Sequence, residues 1–544
     1  MKTRCVCMTV LLLCLGAALF AQDAAAARSW YVSGTGNDND NNGRSEAAAF
    51  KTLKRAFEAA QGSNVKTITV AGDITGGNEL SGTNKQEILI TGKAGPAPKV
   101  TDRIRIEGEV TIRFENIVFS KSNNYYQLSI DEKSTVILGR GILFDEESGS
   151  LESSGTITME GDAKVIGSVE VSRGTFVMKD TAVITAVSPR TSGNVVGVAL
   201  SGGSFSMQGD AEISGINGTG IAVLGQWGNI TTKPSLTLQD NAKISGCKGR
   251  GVVFNSDGTF VMKDNAVIME NLVLDDNYGK LNYVSGYSSY FGSVIPACGG
   301  GVYLRTGSLS MEGNSSITNN RAGDKGGGLY IRAGNVVLKG NVVISGNSAE
   351  KGGGIYYEGQ TGLIETLVDS NNWTASSTAT SNSFVIQGSV TVKDNSAKQG
   401  GGIYIEHASI SETAIVPKNV TFEQVYENRV KLTSYTMKAS GLDMQGGIIS
   451  GNKAEFGAGV YVEGNLEIDE YKMKPNAGLE DFRVKTGKKL RTCFAFNGGS
   501  ITGNAAEFVG GGIYIKTAGA YVPGKGTVKE NTAGDGEGED TYTP

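Results

Sequence analysis

Hydrolysis of a polysaccharide needs two or three carboxylates converging on one face. The repetitive part of this 544-residue chain holds one adjacent aspartate pair, Asp275 and Asp276, beside Asn277 and Tyr278, which is the setting of a solvated turn. A lyase would pair an Arg or Lys base with Ca²⁺ held by clustered carboxylates, and no such cluster stands out. His407, the single histidine, follows Glu406 after a GGGIYI segment, so it can be one member of a site at most; a surface position at a loop boundary is the plainer reading. The glycine runs are not phosphate loops, because no Gly-Lys-Ser/Thr follows them, and the nine-residue repeats of a calcium β-roll are missing. Asp535, Glu537, Glu539 and Asp540 could hold Ca²⁺, but a Gly-rich acidic run reads first as disorder. The sequence therefore nominates no catalytic residue, no metal site and no cofactor.

What the sequence does repeat is structural. A phrase of Asn, Ala two residues on, a polar link, glycines and an aliphatic before Tyr runs from Asn320, Asn347, Asn395, Asn452 and Asn504 to Tyr330, Tyr356, Tyr404, Tyr461 and Tyr514. A second phrase, Met or Leu then Asp or Asn then an aliphatic and Ile, starts at Met159, Met178, Met207, Leu238, Met262, Met311 and Leu338, at steps of 19, 29, 31, 24, 49 and 27 residues. Steps of this size are those of a solenoid, whose units bury their faces on one another; 49 fits two coils or one with a large loop. Aliphatics at alternate positions, Ile344 and Ile355 among them, point to the coil interior. The asparagines fall at one turn of successive coils, where amides can form a ladder. The glycines opening each run, Gly326, Gly352, Gly400, Gly457 and Gly510, permit positive φ and, with those after them, close approach of coils. The following Tyr is expected to face outward on a flat sheet. The acidic residue of the second phrase recurs too regularly to be a site and marks a turn.

Composition supports one long array: 78 glycines with 9 prolines suit turns rather than collagen or Pro-rich disorder. A net charge of −5 without basic clusters argues against nucleic acid. Lys2, Arg4, an apolar stretch from Val10 to Phe20 and small residues to Ala27 read as an export signal, with cleavage after Ala21, Ala26 or Ala27. Its removal takes Lys2, Arg4 and Asp23 and shifts the charge to −6; Cys14 is weighed as a lipid anchor, although Leu13 before it is not small. Cys247, Cys298 and Cys493 remain, too few and too scattered for a disulfide framework. No later segment is long and apolar enough for a transmembrane helix.

Residues 28–64 read as a strand from Trp30 to Ser33, an Asn/Asp/Gly loop to Gly43, and a helix capped by Ser45 with Phe50, Leu53, Phe57 and Ala60 on one face. A helix placed before a β array covers its first coil. Strands are expected at Thr67–Ala71, Glu87–Thr91 and Val110–Phe119, without a second helix. The (W/Y)YVS start, the Asn/Asp loop and the A-x-F-x-T-L helix resemble the opening of right-handed parallel β-helix proteins of the pectin-lyase-like kind. The combined phrase over 299–533, with GGGLY, GGGIY and GAGVY and with Ile-x-x-Asn for Phe-x-x-Asn, resembles the polymorphic outer membrane protein repeat. The resemblance implies an all-β, right-handed parallel β-helix over residues 65–533 and an exported bacterial protein at the outer membrane surface or outside the cell. It also implies a C-terminal β-barrel, whereas residues 534–544 read as an acidic Gly-rich tail. Insertions near 360–383, 407–443 and 465–491, with Tyr426, Tyr435 and Tyr471, are the expected contact regions. The function expected is non-catalytic adhesion, with a host or matrix protein or glycan as partner. Two readings stay open beside it: a polysaccharide-active or carbohydrate-binding β-helix, and an envelope component that associates with itself.

Overall fold

The computed structural model describes residues 29–76, 78–120, 126–146, 150–185, 195–224, 233–274, 296–359, 383–406, 441–464, 468–473, 483–489 and 493–544. The export signal, Asp275, Asp276, His407, Tyr426, Tyr435 and most of the three insertions lie outside them. The chain divides into two compact units, residues 1–188 with 203–205, and residues 189–202 with 206–544.

In the first unit, short strands with alternating buried and open positions stack in parallel, each on the strand one coil earlier. One wall runs Trp30–Val32, Thr67–Val70, Glu87–Gly92, Thr111–Glu115, Thr135–Leu138, Thr156–Met159 and Thr175–Met178. A second runs Lys99–Val100, Val118–Phe119, Leu143–Phe144, Lys164–Ile166 and Val183–Thr185. The third runs Glu79–Gly82, Ile104–Gly108, Tyr126–Ile130, Ser150–Ser153 and Val169–Val171. Parallel crossovers of this kind are right-handed, and the unit is a right-handed parallel β-helix. The segment from Val110 to Phe119 is two strands and not one, because Asn116 at φ 50° turns the chain from the first wall into the second.

The cap differs in detail from expectation. The helix is Leu53–Gln61 and its N-cap is Thr52, whose hydroxyl accepts from the Arg55 N–H, while Ser45 caps only a 3-10 turn at Glu46–Ala48. Asp38 decides the start: its carboxylate accepts from the backbone N–H of Lys51 and Thr52 and from the Thr52 hydroxyl, so the acidic loop fixes the cap. Phe50 stays outside the helix and stacks on Trp30 at 5.9 Å. Leu53, Ala56, Phe57 and Ala60 are buried on the strands below.

The second unit has the same architecture. One wall runs Val195–Leu200, Gly218–Leu224, Val252–Met262, Val302–Met311, Leu329–Ile331, Ile355–Tyr357, Ile403–Ile405, Val460–Val462, Ile513–Ile515 and Thr541–Tyr542. The opposite wall stacks Val267–Met269, Ser316–Thr318, Val343–Ser345, Thr391–Lys393, Ile448–Ser450, Ser500–Thr502 and Thr527–Lys529. Val267 and Ser316 are ladder partners, so the 49-residue step is one coil. The acidic terminus is also part of the array: Thr541 and Tyr542 pair with Ile513 and Tyr514, correcting the expectation of a disordered tail. The described residues contain no helix long and apolar enough to cross a membrane.

Identical positions in neighbouring coils touch, so a core residue has partners above and below. Phe119 sits between Phe114 at 5.6 Å and Phe144 at 4.3 Å, with all three fully buried. Phe119→Ala is expected to lower the stability of the first unit by about 3–5 kcal/mol, read as the shift in its chemical denaturation midpoint.

Candidate functional site: the repeat wall and its insertion corner

Asn320, Asn347, Asn395, Asn452 and Asn504 are buried and stand one above another at steps of 27, 48, 57 and 52 residues. Each Oδ1 accepts two bonds from the preceding asparagine, from its backbone N–H and from its Nδ2, at 2.8–3.1 Å. The same Nδ2 groups also donate backward, to the carbonyls of Ile268, Ile317, Ile344, Val392 and Ile449. Each amide thereby ties three coils, and buried amides need this full pairing. The chain of bonds extends beyond the repeated phrase: Asn271 donates to Asn320, and Asn504 to Asn531. It opens at the Cys247 N–H, which donates to Asn271, and closes at the Asp540 carboxylate, which accepts from Asn531 Nδ2 at 2.9 Å.

The glycines beside the ladder divide two tasks. Gly326, Gly352, Gly400, Gly457 and Gly510 lie at φ 61–72°, the left-handed region. The glycine after each meets the next coil: a Cβ on Gly353 would fall 2.3 Å from the Ser396 carbonyl oxygen. Across that gap the Gly353 N–H donates to Gly400 and the Gly354 N–H to Gly401, at 3.1 and 3.0 Å. The turn of the second phrase is equally specific: Asp180, Asp240, Asp264 and Asp394 adopt φ 55–58°, and the Asp180 and Asp240 carboxylates accept from the N–H of Gly161 and Gly209 one coil earlier. A second, exposed ladder links Asn341, Asn314, Asn265, Asn241 and Asp210.

The tyrosines do not face solvent. Tyr303, Tyr330, Tyr356, Tyr404 and Tyr461 are 0–7% exposed. They point away from the interior aliphatics, but in-register pairing sets equal rings one strand spacing apart, about 4.8 Å. From Tyr303 through Tyr514 the ring centroids are 4.7–5.4 Å apart and the planes within 4–9°. Lys325 lies 4.9 Å over the Tyr356 ring and Lys351 5.3 Å over Tyr404. The Tyr330 and Tyr404 hydroxyls donate to Glu358 and Glu463, and burial raises both phenols, reinforced by those carboxylates. Burial also pushes the Cys247, Cys298 and Cys493 thiols up to about 12, which leaves them unreactive.

Glu358, Glu406 and Glu463 occupy one corner of three consecutive coils, each donating its N–H to the strand below. At this corner the chain leaves the wall for residues 360–382, 407–440 and 465–492 and returns at Ser383, Leu442 and Phe494. The third insertion contains an antiparallel pair, Ile468–Met473 with Arg483–Lys489, which carries Tyr471. Among the described residues, no three of His, Cys, Asp and Glu converge to hold a metal. The geometry is that of a stiff ladder wall with long segments issuing from one edge. What the sequence did not signal is the corner alignment of the insertions and the Asp540 terminus; equal spacing of each insertion from its Gly-Gly-Gly run would have revealed the first.

Residues 341–358 match the family model described as the Chlamydia polymorphic membrane protein repeat. No curated protein matches the chain.

Asn395→Leu leaves the donors of Asn347 and the acceptors at Ile344 and Asn452 buried and unpaired, and is expected to destabilise the unit by at least about 3 kcal/mol in chemical denaturation. Asn395→Asp keeps the acceptor but sets a carboxylate against two oxygens, so its deficit relative to the parent is expected to shrink between pH 7 and pH 4, where the acid regains a donor. Glu463 shows the opposite sign. Burial would raise its carboxyl, but bonds from Lys516 and Tyr404 outweigh that and hold it below the usual 4.5. A depressed carboxylate stabilises above that value and the contribution is lost as pH falls through the lower folded one. The stability gap between the parent and Glu463→Gln is expected to be constant from pH 7 to 5 and to close below about 4.5.

Proposed function

We propose that this protein is an exported bacterial surface or secreted protein that acts in adhesion or another protein or glycan contact, without catalysis. The observation that carries this reading is the position of the family match. Residues 341–358 run from the strand Val343–Ser345 through Asn347 and the glycines to Ile355–Tyr357. The matched stretch is the ladder and wall element whose counterparts recur in register in the neighbouring coils, and the family it belongs to is named for membrane proteins. A wall held by backbone, amide and ring ladders supports a rigid support role, and three insertions at one edge of consecutive coils form a continuous row for contacts. Nothing in this reading needs a cofactor or a catalytic group.

Protease applied to intact producing cells is expected to cleave the protein. Purified chain on arrays of matrix proteins and glycans is expected to bind saturably, and to lose that binding when residues 360–382 and 407–440 are replaced by short links. Protection on intact cells, or release of new reducing or unsaturated ends from a polysaccharide, would overturn the reading.

A further inference from the structure

In the first unit, a cleft of about 300 Å³ lies beside the capping helix, lined by Lys54, Asn78, Glu79, Asp102, Arg103 and Arg105. That volume is at the small end for ligand clefts, about 300–1,000 Å³. Asn78 occupies a row that is otherwise apolar. Glu79 pairs with Arg105, so the row continues from Asn78 to Ile104 and then Leu128, both fully buried. Asn78 is only 4% exposed, yet neither its Oδ1 nor its Nδ2 has a hydrogen-bond partner among the described residues. Arg103 Nε, at the same cleft, is likewise buried and unpartnered. Buried amide and guanidinium groups without partners are rare and destabilising, and here two of them open on one cavity.

The charges around them are uneven. Lys54 makes no ion pair among the described residues, and Arg105 reaches only Glu107, at 3.6 Å. Asp102 spends one carboxylate oxygen on the Arg103 N–H at 2.8 Å. Three cations therefore face two carboxylates, one of them partly committed.

We propose that this cleft binds a small carboxylate-bearing polyol of the size of one acidic sugar. The carboxylate meets Arg103 and Lys54, which pair with carboxylates as a planar fork and a point charge. Asn78 supplies a donor and an acceptor to a neighbouring hydroxyl, and Glu79 and Asp102 accept from the others. The site is remote in sequence from the insertions and is independent of the adhesion reading.

The test is titration of the full chain with glucuronate by calorimetry, with glucose and sodium sulfate as comparison probes, on the parent, Arg103→Gln and Asn78→Leu. Saturable glucuronate binding is expected, weakened at least tenfold by each substitution, with glucose and sulfate each at least tenfold weaker. Asn78→Leu removes an unpaired buried amide, so its melting temperature is expected to equal or exceed the parent's, which separates loss of binding from loss of folding. Absence of saturable binding, equal binding of glucose or sulfate, or binding unchanged by both substitutions would overturn the proposal. Failure here leaves the cell-surface and array experiments unaffected.

Discussion

The second unit depends on a column of buried side-chain amides. Coils stacked at strand spacing could slip along one another, because backbone ladders alone are nearly indifferent to a shift. The asparagine column is not indifferent. Each Oδ1 receives two bonds and each Nδ2 gives at least two, so displacement of one coil by a residue would strand several buried groups. It would also turn interior aliphatics outward. In a low-dielectric interior such a chain gains from mutual polarisation, and the same setting makes any break severe. The glycines are a corollary: coils held this close leave no room for a Cβ at Gly353 or Gly354.

The column also has a direction. Every amide places its N–H₂ toward the C-terminal neighbour, so the bond dipoles add as peptide dipoles do along a helix. The far end is positive, and the acceptor there is the Asp540 carboxylate rather than another neutral amide. At the near end Cys247 contributes only its backbone N–H, and no side-chain donor is stranded. The column is thus closed chemically at both ends.

Much of this was visible in the sequence, because a solenoid writes its contacts as recurrence. Asn347 and Asn395 stand in equal contexts, and equal contexts in a stacked array are neighbours. The failures have a common cause: contacts made only after stacking leave no mark in a single copy. Alternation sends Tyr356 away from the interior, and only the neighbouring rings of Tyr330 and Tyr404 bury it. Asp540 sits in a run whose composition suggests disorder, and its role appears once Asn531 is seen beneath it. Ser45 looked like the helix cap because the reach of Asp38 to Thr52 is a loop property. Asn78 carries no recurrence at all, and its cleft could not have been read.

The insertion corner bears on how such a chain changes over generations. The ladder closes over steps as short as 27 and as long as 57 residues with the same bonds. Loop-closure entropy rises only logarithmically, so that near-doubling costs roughly 0.6 kcal/mol. Added length at this edge is therefore almost free, while one substitution in the column is not. Selection can lengthen, shorten or rewrite what issues from the edge with little effect on the wall behind it, so variation is channelled to the rim and withheld from the coil.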